Sequence, residues 1–283
     1  MSRWRLIIHE ASRGAWNMGV DEALLASAVR TGCPSLRFYR WQGAWVSLGY
    51  GQILDSGRIE ACSRAGVGLV RRITGGRAVL HGSDLTYALA AREGQLPSGL
   101  MASYEWVAEI LVTALEALGV EAVASPVPDR LGAFQHRFQI DSSRAASRTQ
   151  PGDFDCFTQP AGREVCVGGR KLAGSAQRRV KGGILQHGSI RLAPDPPEAR
   201  RASSLSGARA VSLAELGANS DPEVLQTACV GAFEQALGRL EIGELTAEER
   251  AGAAERAQNH QRDSVFAPPG DALRVSRQPL ADR

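Results

Sequence analysis

Cys156 and Lys171 are the two residues whose types and spacing most readily suggest chemistry. They lie fifteen positions apart in DCFTQPAGREVCVGGRKLAGSAQRRVKGGILQHGSI, residues 155–190. Of the 33 basic Lys and Arg side chains, only Lys171 and Lys181 are lysine. A guanidinium keeps its proton in a protein, whereas a desolvated lysine can titrate and act as a base. A cysteine becomes a nucleophile once a neighbouring base or positive field favours its thiolate. A cysteine and a lysine that meet could therefore divide covalent catalysis between them. Simpler readings stand beside this one: Cys156 as an incidental loop thiol, and Lys171 as a solvated hairpin residue. Cys166, inside the alternating run E-V-C-V-G, reads as a packed small residue. Arg178, Arg179 and Lys181 read as a basic face, either solvated or facing an acidic partner.

Three glycine-containing segments could bring backbone close to a ligand: RRITGGRAVLH (71–81), GGRKLAGSAQ (168–177) and GGILQHGSI (182–190). None has the GxxxxGK[ST] spacing of a phosphate loop, and no GxGxxG follows a strand to open a helix. Paired glycines in strand-rich context permit either close approach or a tight turn, and for Gly75-Gly76 both remain open. His81 and His187 follow apolar strand positions, as core or site histidines. Asp21 reads as a helix-surface or structural carboxylate rather than a catalytic one.

The elements that must position these residues are visible in the patterning. WRLIIHE (4–10) reads as a strand and residues 14–30 as a helix closed by Gly32-Cys33-Pro34. SLRFYRW (35–41) and AWVSLGYGQ (44–52) read as adjacent strands, followed by a short helix over 56–66 and strands over 68–76 and 84–92. Residues 103–118 form the clearest amphipathic helix. Residues 125–152 carry little periodicity and read as a long loop. Strands EVCVG and RKLAGSAQ hinge at Gly168-Gly169, a strong hairpin signal, and 182–192 is the next strand. A helix over 222–239 follows, and Thr246-Ala-Glu-Glu249 is a capping box that opens another. This order lacks regular βαβ alternation, which predicts an α+β fold with a mixed, largely antiparallel sheet flanked by helices. We expect one catalytic domain over residues 1–258, with a long loop at 125–155 and an extended tail over 259–283.

Bulk properties exclude several classes. The net charge of +3 is mild and no dense basic block occurs, so a nucleic-acid partner is not expected. No stretch approaches the ~20 apolar residues of a membrane span, and the N-terminus lacks a signal-peptide pattern. Five scattered cysteines without CxxC spacing argue against a disulfide framework or a metal site and fit a reducing cytoplasm.

Taken in order, NMGVDEALL (17–25), LRFYRW…WVSLGYGQ (36–52), RRITGGRAVLHGSDLTYAL (71–89) and GRKLAGSAQRRVKGGILQHGSI (169–190) resemble the superfamily of lipoate-protein ligases, biotin-protein ligases and octanoyltransferases. The resemblance covers roughly residues 10–192. It implies an α+β fold with a tunnel for a medium-length acyl chain, lined by the arginine-glycine segment and the lysine strand. It also implies substrate-binding roles for Arg72, Thr74, Gly75, Gly76, Arg77, His81, Gly174, Ser175 and Ala176. Arg77 stands where the ligases more often carry a third glycine, and DCFTQPAGREV places Cys156 where the LipM octanoyltransferase branch carries its nucleophile. The branch's usual Ser-aromatic pair is absent from Pro160-Ala161-Gly162-Arg163-Glu164.

The resemblance implies Cys156 as nucleophile and Lys171 as acid and base, with apolar tunnel walls favouring the neutral amine. It implies octanoyl-acyl carrier protein as donor and a lysine of a lipoyl-domain protein, the glycine-cleavage H protein or a 2-oxoacid dehydrogenase E2, as acceptor. No cofactor or metal is expected. The rival readings are an ATP-dependent lipoate ligase, an amidotransferase that moves octanoyl groups between lipoyl domains, and a binding relative without turnover.

Overall fold

The computed structural model describes residues 3–125, 164–205 and 207–265. In chain order its elements begin with β1 (Trp4–Ile8), α1 (Gly14–Thr31), β2 (Ser35–Tyr39), β3 (Trp45–Leu48), α2 (Ser56–Arg64) and β4 (Gly68–Arg71). Next come β5 (Val79–His81), β6 (Asp84–Arg92), α3 (Leu100–Glu116), β7 (Val123–Ala124), β8 (Val165–Val167), β9 (Arg170–Val180) and β10 (Gly183–Arg191). The chain continues through α4 (Pro197–Ser203), a 3-10 turn (Ala214–Leu216), α5 (Pro222–Leu237), β11 (Leu240–Ile242) and α6 (Ala247–Val265).

Eight strands form the main sheet in the order β11-β1-β2-β6-β10-β9-β8-β7. The β11–β1–β2 edge is parallel and every later pairing is antiparallel. The α+β class with a mixed, largely antiparallel sheet is therefore as expected. Both faces of the sheet are covered, which is why β6 reads as an almost continuous apolar run rather than an alternating one. Leu85, Tyr87, Leu89 and Ala91 join a core with Val107, Leu111 and Leu115 of α3 and Phe233 of α5. Ala88 and Ala90 face the opposite way, into a core with Val20, Leu24 and Ala28 of α1.

SLRFYRW and AWVSLGYGQ form strands but do not pair with each other. Both edges of β2 are taken, by β1 and β6, so none remains for β3. β3 instead centres a second sheet, β4-β3-β5, where Val46 and Leu48 bury against Leu54 and Cys62 with Ala199 of α4. The capping box forms as expected: Glu249 N–H donates to Thr246 Oγ1 at 3.1 Å, and Thr246 N–H donates to Glu249 Oε2 at 2.9 Å. The helix it opens runs past position 259 to Val265, because its inner face packs along α1. The expected loop from residue 126 onward, and the tail beyond 265, lie outside the described residues. Among the described residues no helix is long and apolar enough to cross a membrane.

Candidate active site

The lysine strand is built by a hairpin and then bent by an extra residue. Gly168 and Gly169 take φ of +55° and +74°, the two successive left-handed positions that a tight β8–β9 turn requires. The turn sets Cys166 opposite Lys171, but one step further Val165 faces Ala173, so β9 carries a bulge. Strict alternation would point Lys171 the same way as Ala173 and Ser175, toward the α3 core. The bulge absorbs one residue and re-aims the lysine to the opposite face, where Gly174 lies. There the side chain folds down over Gly174: a Cβ at that position would fall 2.5 Å from Lys171 Nζ.

Lys171 is only 2% exposed and its amine donates to Glu164 Oε1 at 2.5 Å. The apolar surroundings expected for this amine are thus corrected to an ion pair, because Glu164 stands at the start of the neighbouring strand. The Glu164 backbone is held by reciprocal bonds to the end of β7: Ser125 N–H donates to the Glu164 carbonyl at 2.7 Å, and Glu164 N–H donates to Ser125 Oγ at 3.0 Å. Cys166 is buried as a packed strand residue. Burial, with Glu164 adding to it, pushes its thiol pKa up, against the opposing influence of Lys171. That is the wrong direction for a nucleophile. Cys156 lies outside the described residues.

Gly174, Ser175 and Ala176 run from the lysine into a cavity of about 50 Å³ between the two sheets, which Arg72, Gly76 and His81 also line. That is room for a water or two, so the cavity must widen to admit an eight-carbon chain. Two buried relays make its polar wall. In the first, His81 bonds Asp84 Oδ2 at 2.8 Å and Ser47 Oγ at 2.8 Å, while its ring stacks on Trp41 at 3.9 Å. Burial acts to raise the Asp84 pKa, but His81 and the donors Ser189 and Gly82 N–H outweigh it and hold the carboxyl below its usual range. In the second, His187 bonds Asp21 Oδ2 at 2.9 Å and Thr74 Oγ1 at 2.7 Å. Asp21 also accepts from Arg37 at 2.7 Å and from Tyr39 at 2.8 Å. Breaking such a buried pair from one side typically costs about 3–5 kcal/mol. Here too burial favours the neutral acid, and the His187 and Arg37 contacts reverse it, lowering the Asp21 pKa.

The arginine-glycine segment is a turn held from inside. Arg72 donates to the carbonyls of Ser47, Gly75 and Arg77 at 2.8, 2.9 and 2.6 Å, tying the Gly75-Gly76 loop to β3. Gly76 takes φ of +90° there. Arg72 thus shapes the wall through backbone contacts, and Thr74 does so through His187. Gly75 and Arg77 are half-buried at the loop. The expected basic face is only partly free: Arg178 lies over the Tyr50 ring at 5.2 Å, and Arg179 folds onto the Gly99 carbonyl and Ser103 at the start of α3. Sequence reasoning missed Glu164, Ser47 and Ser189. The hairpin turn carried a signal for the first; the other two are one small hydroxyl among many.

Among the described residues, no group of three His, Cys, Asp or Glu is arranged to hold a metal ion. Residues 13–234 match the lipoyl protein ligase A/B catalytic domain family. An octanoyltransferase LipM of Kyrpidia tusciae is 40% identical over 274 residues, covering 89% of this chain and 94% of that protein. The LipM octanoyltransferase of Symbiobacterium thermophilum is 36% identical over 89% of this chain and 93% of its own. Among solved structures, lipoate-protein ligase A bound with ATP superposes with a TM-score of 0.70 at 21% identity, over 91% of this chain and 95% of that one. A bi-partite lipoate protein ligase from Thermoplasma acidophilum gives 0.69 at 19% identity, over 99% and 100%. These two likenesses concern the fold alone. With the matched catalytic domain spanning both relays and the lysine strand, this chain belongs to the lipoyl protein ligase A/B catalytic domain family, alongside the LipM octanoyltransferases.

Proposed function

We propose that this protein is an octanoyltransferase of lipoate biosynthesis. It takes an octanoyl group from octanoyl-acyl carrier protein onto Cys156 as a thioester and passes it to a lysine of a lipoyl domain, in the cytoplasm. The observation that carries the reading is the buried Lys171 amine laid over Gly174 at the cavity wall, in a chain 40% identical to a LipM octanoyltransferase. An amine held out of bulk water in this way suits alternating acid and base work better than a solvated hairpin lysine does.

The chemistry follows from the groups. Attack of the Cys156 thiolate on the donor thioester forms one C–S bond and breaks another, so little free energy changes. Lys171 relays the proton, giving one to the departing carrier thiol as it accepts one from Cys156, and ends in the protonation state in which it began. The acceptor amine then attacks the octanoyl-cysteine carbonyl, the C–S bond breaks, and the proton passes by way of Lys171 to the sulfur. Thioester to amide runs downhill, so no nucleotide is required. Wild-type protein mixed with octanoyl-acyl carrier protein without ATP is expected to gain the mass of one octanoyl group. A strict ATP requirement, with an acyl-adenylate released or bound, selects the ligase reading instead.

Gly174 offers a separate check on the amine's position. Gly174→Ala places a methyl where Lys171 Cε and Nζ now lie, so the amine must move. A misplacement on the ångström scale can cost about 100-fold in rate. We expect transfer to fall by at least about tenfold, with the melting temperature within a few degrees of wild type. Unchanged transfer rates in a steady-state assay would show that the amine's seat on Gly174 does not matter.

A further inference from the structure

The mechanism above uses one oxygen of Glu164 only indirectly and the other not at all. Glu164 is 7% exposed, Oε1 accepts from Lys171, and Oε2 is a buried oxygen without a hydrogen-bond partner among the described residues. Buried polar atoms are almost always paired, and a carboxylate is an acceptor that can take several donors. The Ser125 bonds hold the Glu164 backbone and Lys171 holds Oε1, so the unpaired Oε2 sits beside the one amine assigned to proton transfer. Of the two substrates, the octanoyl thioester brings amide donors but no cation. The acceptor brings a lysine ammonium.

We infer that Glu164 Oε2 is the receiving site for the ammonium of the acceptor lysine, an inference that rests on the transferase reading. The bound state sets two amines, Lys171 and the incoming one, on the two oxygens of a single carboxylate. Glu164, at the start of the adjacent strand, and the Cys166 thiol opposite it are ionisable groups that face Lys171. One negative charge cannot fully balance two ammonium ions, so their mutual repulsion favours loss of one proton to solvent. The incoming nitrogen, now neutral, forms the C–N bond. The C–S bond breaks with its electron pair on the Cys156 sulfur, and the second proton of the nitrogen passes through Lys171 to that sulfur. The products are the amide and a free thiol.

The test separates the two half-reactions with Glu164→Gln, which keeps shape and removes charge. Octanoyl loading of Cys156 from octanoyl-acyl carrier protein, followed by mass spectrometry, is expected to fall by clearly less than transfer does, since loading uses the Glu164-paired Lys171 but not Oε2. Transfer from the loaded variant to a lipoyl domain is expected to fall about 10- to 100-fold, the worth of a charge-assisted hydrogen bond. The KM for the lipoyl domain should rise while that for the carrier stays level. Glu164→Asp, which restores the charge, should recover part of the transfer rate. Wild-type transfer by Glu164→Gln, or an equal loss in both halves, overturns the inference and leaves Glu164 a mere support for Lys171. A wild type that takes up no octanoyl group overturns the transferase reading itself, a result visible before any variant is made.

Discussion

Cys156→Ala is expected to lower ATP-independent octanoyl transfer by at least about a thousandfold, to the limit of detection. Removing the nucleophile of a covalent enzyme removes the intermediate, and such losses reach about six orders of magnitude in well-studied hydrolases. No described cysteine offers a substitute. Cys62, Cys166 and Cys229 are buried, and burial pushes each of their thiol pKa values up, Cys229 to about 12. Cys33 is exposed past the end of α1, whose Val29 packs near Val180, the opposite end of β9 from Lys171. The variant incubated with octanoyl-acyl carrier protein should therefore show no octanoyl mass in denaturing mass spectrometry. An adduct that persists in Cys156→Ala, mapped by proteolysis to Cys166, would falsify the nucleophile assignment and move it onto the lysine hairpin.

Lys171→Arg is the second large effect, and it is informative because charge is retained. The guanidinium can still pair with Glu164, but it does not give up its proton and so cannot act as a base. Its planar fork is also wider than an ammonium, in a space closed by Gly174 below and Glu164 alongside. Loss of general acid–base work costs about 10²–10⁴-fold, and both half-reactions should suffer because both move a proton through this nitrogen. Single-turnover loading and transfer measured separately check this. Either half-reaction running at near wild-type rate would remove Lys171 from that step. The pattern differs from that of Glu164→Gln, where the second half is expected to slow more than the first.

Much of the architecture was legible because it is written in local pattern. The helices over α1 and α3 follow apolar spacing, the β8–β9 turn follows two adjacent glycines, and the start of α6 follows a capping box. One site residue was legible for a different reason: with only two lysines in the chain, Lys171 stands out by type. Glu164 lay within reach of the same logic. Counting back from the Gly168-Gly169 turn sets Cys166 opposite Lys171 and brings residue 164 beside it along the strand.

What could not be read concerns partners far apart in the chain. Asp21 meets His187 across 166 residues, Thr74 meets His187 across 113, and Asp84 meets Ser189 across 105. No local spacing encodes those meetings; they follow from the order in which strands share edges. The same competition for edges sent β3 into its own sheet, since β1 and β6 already held β2. The bulge in β9 is also a tertiary outcome, arising where register with β8 slips by one residue. The sequence by itself determined the α+β class, the hairpin and the presence of a rare lysine just past its glycine turn. Only the tertiary structure decided which face that lysine took and which carboxylate met it, because side-chain direction in a sheet reverses with every single-residue change of register.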